Sequence, residues 1–107
     1  MQFDFDASIR AIAHPLRRKI LEWLKDPALH FPEQEYGQNL GVCVGQLTLR
    51  CGLSQSTVSR HLTVLKEAAL VDLHKAGHVH FFKRNEKLIQ SFNTSLKKRL
   101  QGEQIGE

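Results

Sequence analysis

A chain of 107 residues, 41% hydrophobic and 24% charged, makes one folded domain, too apolar for wholesale disorder and too short for a deep substrate cavity. No apolar run reaches the ~18–20 residues that span a bilayer, the acidic start Met1–Asp6 has no secretory h-region, and two cysteines are too few for a disulfide framework, so a cytosolic protein is expected. The net charge of +4 lies wholly in residues 54–107, nine basic against five acidic, while residues 1–53 balance at six each. That asymmetry suits a polyanion such as nucleic acid as readily as a mildly basic domain with no such partner.

Ile9, Ile12 and Ala13 sit at helical spacing in the first segment. Pro15 opens a second helix, where its missing N–H costs nothing. There Leu16, Ile20, Leu21 and Leu24 form one apolar face and Arg17, Arg18, Lys19, Glu22 and Lys25 fall largely outside it. Asp26-Pro27 ends that helix. Residues 26–42 then form a connection well beyond the usual ~4–6 residues, broken by two prolines and two glycines, with room for a short strand or a helical turn. A short helix is expected over Val44–Cys51, with Val44 and Leu47 inward and Cys51 a candidate for the same core-packing role. Gly52 suits a left-handed C-terminal position and Ser54 an N-cap.

The next helix is expected from Gln55 to Ala68, with Val58, Leu62 and Leu65 forming an inward stripe. Leu70–Lys75 and His78–Lys83 read as two strands around an Ala76-Gly77 turn. Lys87–Leu100 reads as a last helix, with Leu88, Ile89, Phe92, Leu96 and Leu100 on one face, followed by a frayed tail over 101–107.

Two helices across a Gly-containing turn are a helix-turn-helix unit, and the following hairpin is a wing. The fold expected is therefore mainly α with a two-stranded β wing, a winged helix-turn-helix in the order α-α-α-α-β-β-α, as one domain over 1–107. Such a unit packs one stripe of its second helix inward and leaves the N-terminal half free for the DNA major groove. Gln55, Ser56, Thr57, Ser59, Arg60 and His61 avoid the Val58/Leu62/Leu65 stripe. They are short or base-reading side chains, with no carboxylate before Glu67. Arg60 can pair bidentately with guanine and Gln55 with adenine. Lys75 and His78, flanking the expected wing tip, can reach phosphate or the minor groove; an exposed and uninvolved His78 is equally compatible.

The run Leu53-Ser54-Gln55-Ser56-Thr57-Val58-Ser59-Arg60-His61-Leu62, with Leu47 before it and Leu65, Ala69-Leu70-Val71 and Gly77 after it, resembles the ArsR/SmtB family of bacterial winged-helix repressors. His14-Pro15-Leu16-Arg17-Arg18-x-Ile20-Leu21 resembles that family's second helix. The resemblance spans roughly residues 8–100 and implies a cytoplasmic, nucleoid-associated regulator. It also implies a homodimer through the first and last helices, bound to double-stranded DNA at an inverted repeat. The apolar face of the last helix serves a dimer, the monomer core, or both.

The family's sensor sites fit poorly. Its arsenic-type motif carries Cys-Val-Cys where this chain has Cys43-Val44-Gly45, and a soft metalloid wants two or three thiolates. Cys51 lies a further ~12 Å along a helix, too far to share a ligand. The family's Asp/His/Glu site on the last helix has neither His nor Asp here, and the paired cysteines of its persulfide sensors are missing. With a two-residue Ala76-Gly77 turn, His78 and His80 share one face and His74 takes the other, so no metal site is expected; a three-residue loop would flip the parity and reunite the three. Cys43 stays a candidate redox or thiol-sensing residue, against the alternative of a small buried side chain. His30, Glu33, Glu35 and Tyr36 in the long connection have no geometry that sequence can supply. No cofactor is expected, and no inducer is identifiable.

The leading function is a sequence-specific DNA-binding transcriptional repressor. The alternative is a winged-helix protein-interaction module without specific DNA binding. RNA is disfavoured because the reading face has no aromatic to stack bases. An enzyme is disfavoured because no phosphate loop, nucleophile elbow or zinc-protease motif is present.

Overall fold

The computed structural model describes residues 3–34 and 38–102. Six helices are present among them: α1 (Phe5–Ile12), α2 (Pro15–Lys25), α3 (Pro27–His30), α4 (Val44–Cys51), α5 (Gln55–Glu67) and α6 (Glu86–Gln101). Three strands, β1 (Val42–Cys43), β2 (Val71–Ala76) and β3 (Val79–Arg84), form one antiparallel sheet in the order β1-β3-β2, and a 3₁₀ turn covers Gln38–Leu40.

The architecture is the expected winged helix-turn-helix, with three short additions inside the long connection. Pro27 starts α3 immediately after the α2 cap at Asp26, the 3₁₀ turn follows, and β1 widens the wing from two strands to three. Val42 pairs with Phe82 and Cys43 with Phe81. Gly41 makes this approach possible. Its φ is +111°, and a Cβ there would drive into the Phe82 carbonyl. Glu35 and Tyr36 of this connection, and residues 103–107 of the expected tail, lie outside the described residues. Gln101, placed in that tail by sequence, is the last residue of α6.

Local chemistry explains the helix ends. Asp4 caps α1 by accepting from the Ala7 N–H at 3.1 Å, and His14 caps α2 through Nδ1, which accepts from the Leu16 N–H at 3.0 Å. Gly52 closes α4 in the left-handed region at φ 69°, as its position predicts. Ser54 accepts from the Thr57 N–H and opens α5. At the far end of α5, Ala69 adopts φ 64°. There the Leu70 N–H reaches the Leu65 carbonyl at 3.0 Å, closing the helix with a residue less suited to that conformation than glycine.

The core gathers the inward stripes: Ala11 from α1, Ile20 and Leu24 from α2, Leu47 from α4, Val58, Leu62 and Leu65 from α5, Val42, Leu70, Val71 and Phe82 from the sheet region, and Leu88 from α6. Arg84 fastens the sheet to its neighbours. Its guanidinium forks onto Glu86 at 2.9 and 3.1 Å and donates to the Leu21 carbonyl at 3.1 Å. The predicted apolar face of α6 is only partly used. Leu88 and Phe92 are buried, Ile89 and Leu96 are half-buried, and Leu100 is 77% exposed.

The hairpin register differs from expectation. Ala76 pairs with Val79, so the two-residue loop is Gly77-His78 rather than Ala76-Gly77. Gly77 takes φ 64°, and a two-residue loop with glycine at its first position suits the right-handed twist of the flanking strands. Lys75 therefore faces His80, His74 faces Phe81, and His78 sits in the loop itself.

Candidate nucleic-acid interface

The helix α5 is held by its stripe and free on the opposite side. Val58, Leu62 and Leu65 are essentially inaccessible, and α4 packs across α5 through Leu47. A stripe at 300°, 340° and 280° around a helix of ~100° per residue leaves positions 56, 60, 63 and 67 pointing away. Ser56, Arg60, Thr63 and Glu67 are indeed exposed, as is Gln55 at the N-terminus. Thr63 was absent from the sequence-based set. It lies three residues after Arg60 and seven after Ser56, and that spacing is a signal by which it could have been found.

The remaining predicted residues divide by surroundings. Thr57 is half-buried and its hydroxyl accepts from Ser54 Oγ at 3.0 Å, so it belongs to the cap. Ser56 Oγ lies 3.3 Å from the same Ser54 hydroxyl. Ser59 is half-buried on one flank of the stripe.

His61 occupies the other flank, in the row of Val58 and Leu65, and turns toward α2. Its Nδ1 lies 3.1 Å from Arg17 Nη1, and its ring meets the His14 ring at 4.6 Å between centroids. An arginine can only donate, so Nδ1 of His61 accepts and the ring is neutral with its proton on Nε2. Partial burial pushes the His61 pKa down, and the neighbouring charges of His14, Arg17 and Arg60 push it the same way.

At the wing, Lys75 and His80 are exposed and directly opposed across the strands, and His78 is exposed in the loop. Cross-strand pairs share a face, so His80 lies with Lys75, and His74 lies on the other side with Phe81. The expected sharing of one face by His78 and His80 is thus replaced by a turn position for His78 and a Lys75–His80 pair. Among the described residues, no three His, Cys, Asp or Glu side chains are placed to hold a metal ion.

The cysteines are separate. Cys43 is half-buried at the N-cap of α4, pairs with Phe81 through β1, and donates its N–H to Gln34 Oε1 at 2.9 Å. Cys51 is half-buried against the core, and burial pushes its thiol pKa up, which favours the inert packing role. In the long connection, His30 Nδ1 lies 3.3 Å from Arg50 Nη2, and Arg50 also covers the Trp23 ring at 4.9 Å. No helix among the described residues is long and apolar enough to cross a membrane.

Helix-turn-helix, wing and outward polar row together define a winged-helix transcriptional regulator. Comparison with known proteins agrees. Residues 42–72 match the family described as bacterial regulatory protein, arsR family. The chain is 38% identical over 90 residues to the uncharacterized HTH-type transcriptional regulator YbzH of Bacillus subtilis (strain 168), a span of 82% of this chain and 90% of that protein. It is 27% identical over 81 residues to the transcriptional repressor SdpR of the same organism, 76% of each chain. A crystal structure of an ArsR family transcriptional regulator superimposes with a TM-score of 0.68 at 17% identity, covering 90% of this chain and 86% of that one. HlyU from Vibrio cholerae N16961 gives 0.59 at 26% identity, covering 88% and 87%.

The chain belongs to the ArsR family of DNA-binding transcriptional regulators. Regulators of this family bind DNA, typically dimerise, and are not enzymes.

Proposed function

We propose that this protein is a sequence-specific repressor that binds an inverted-repeat operator in duplex DNA as a homodimer. The observation that carries this reading is the outward row Ser56, Arg60 and Thr63 on a helix whose opposite stripe is buried. Short side chains at Ser56 and Thr63 let the helix approach base edges closely, and Arg60 between them supplies a bidentate donor for guanine. Gln55, with Thr57 and Ser59 on the flanks, completes the N-terminal half of the surface, where backbone N–H groups favour phosphate. Lys75 and His78 take the neighbouring phosphates or minor groove from the wing. His61 serves this surface from behind, through Arg17, rather than by touching bases.

The dimer reading rests on apolar surface that the monomer leaves open. Leu100 near the end of α6 and Ile9 on α1 are exposed, and the same two helices meet where Phe5 of α1 lies 5.7 Å from Phe92 of α6. A twofold axis through these helices would set two α5 helices about one DNA turn, ~34 Å, apart. The repressor sense is supported by the likeness to SdpR.

The test is fluorescence anisotropy of the reduced protein with the duplex upstream of its own gene, in excess random-sequence competitor. Binding that survives the competitor is the expected result. Binding that the competitor abolishes places the operator elsewhere or favours a protein-interaction module instead.

A further inference from the structure

We propose that Arg17 is a positioning residue for the DNA-reading helix, tying α5 to the end of α1 through a neutral His61, so that protonating His61 loosens α5 and lowers sequence selectivity. The proposal rests on the DNA-binding reading above and assigns a role to residues that touch no DNA in that reading.

One guanidinium makes three connections. Arg17 Nε donates to the Ala11 carbonyl at 2.6 Å, Nη2 donates to the Arg10 carbonyl at 3.1 Å, and Nη1 donates to His61 Nδ1 at 3.1 Å. The last carbonyls of a helix lack the usual donor four residues on; the Arg10 carbonyl also takes the Ala13 N–H at 3.3 Å, and Arg17 adds to the closure of the α1 end while its third arm holds α5. Arg18 adds a donor to the Ile12 carbonyl. The Arg17-Arg18 pair, which falls outside the apolar face of α2 in the sequence, thus has a structural task at the α1–α2 corner.

The Arg17 contact requires an unprotonated Nδ1 on His61. His61 accepts through Nδ1 from Arg17, and the adjoining His14 accepts through Nδ1 from the Leu16 N–H at the start of α2. A proton placed on Nδ1 of His61 would point at an Arg17 N–H, and the hydrogen bond would become a contact between two donors. The charges acting on His61 are all basic: His14 and Arg17 from α2, and Arg60 from α5 itself. From α1, α4 and β2, which also pack on α5, no carboxylate is among the groups that act on it. Protonation therefore meets repulsion with no compensating anion among the described residues. The helix released is the one bearing Ser56, Arg60 and Thr63, and a base-reading helix loses discrimination when its angle in the groove is no longer fixed.

The test uses the full chain and a duplex recovered from a random-sequence pool, with a scrambled duplex of equal length as reference. The readout is the ratio of the two affinities, which cancels the general strengthening of DNA binding as other histidines acquire charge. Lowering the pH from about 7.5 to about 5.5 is expected to reduce this ratio ~5-fold or more. In Arg17→Gln the ratio is expected to be low at both pH values. In His61→Gln, whose amide oxygen still accepts from Arg17 and cannot titrate over this range, the fall with pH is expected to vanish whatever the starting ratio. Ring-nitrogen NMR of the DNA-free protein is expected to show His61 as the Nε2–H tautomer. A selective duplex whose ratio is pH-independent, or an Nδ1–H tautomer, overturns the proposal alone. A chain that enriches no duplex overturns the DNA-binding reading itself. Should Arg17→Gln fail to fold, the wild-type pH profile and the tautomer still decide.

Discussion

Arg60 and His61 are neighbours in the chain but face different surroundings, about 100° apart around their helix. Arg60 stands exposed between Ser56 and Thr63, whereas His61 turns back to accept from Arg17 at 3.1 Å. Under the proposed DNA-binding reading this division separates base reading from positioning within two consecutive residues, and substitutions at the two sites should differ in kind.

Arg60→Ala should weaken binding to the preferred duplex by ~1–3 kcal/mol and relax preference at one base position, with little change on scrambled DNA. Competition anisotropy against single-base variants measures this. Equal loss on all sequences would assign Arg60 to phosphate rather than to a base.

Lys75 faces His80 on the exposed part of the wing. Removing it should lower affinity uniformly and reduce the slope of log affinity against log salt by about one. A titration series in salt reads the slope, and a loss confined to one sequence would contradict the phosphate role.

The folded protein should be less stable in mild acid. The His61 pKa is pushed below its ordinary value, first by burial and then by His14, Arg17 and Arg60. The unfolded chain therefore takes up a proton at this residue before the folded chain does, so stability falls as pH drops through the ordinary histidine range toward the lowered folded value, and is constant below it. Tm by circular dichroism should be lower at about pH 5.5 than at about pH 7.5, and His61→Gln should remove that part of the difference.

Gly41→Ala should destabilise the wing. The position combines φ +111° with a Cβ aimed at the Phe82 carbonyl, so the β1–β3 pairing must shift or break. A loss of more than ~1 kcal/mol in urea unfolding is expected from backbone strain alone. Ser54→Ala should cost about 1 kcal/mol through the lost α5 cap.

Much of this was legible because it is local. Gly52 and Ser54 mark the turn between α4 and α5, and both act where their chemistry places them. A short strand or helical turn was expected in the long connection, but the place and pairing of β1 were not legible, because two residues gain their conformation from Phe81 and Phe82, some forty positions away. The hairpin register turned on which two of Ala76, Gly77 and His78 form the loop; glycine at the first loop position was the available signal. His61 looked like a reading residue because it is polar, although its spacing to Val58 and Leu65 puts it beside the buried stripe. Its partner, Arg17, is 44 residues away, and no periodicity reports that contact. The exposed Leu100 is the reverse case: the pattern predicted an inward face, and the monomer leaves its end uncovered.

Selection of duplexes from a random-sequence pool by the full chain tests the central claim most directly. The account predicts enrichment of a twofold-symmetric sequence whose half-sites lie about one helical turn, ~10 base pairs, apart. Recovery of a pool with no common sequence, bound only through salt-sensitive contacts, would contradict it.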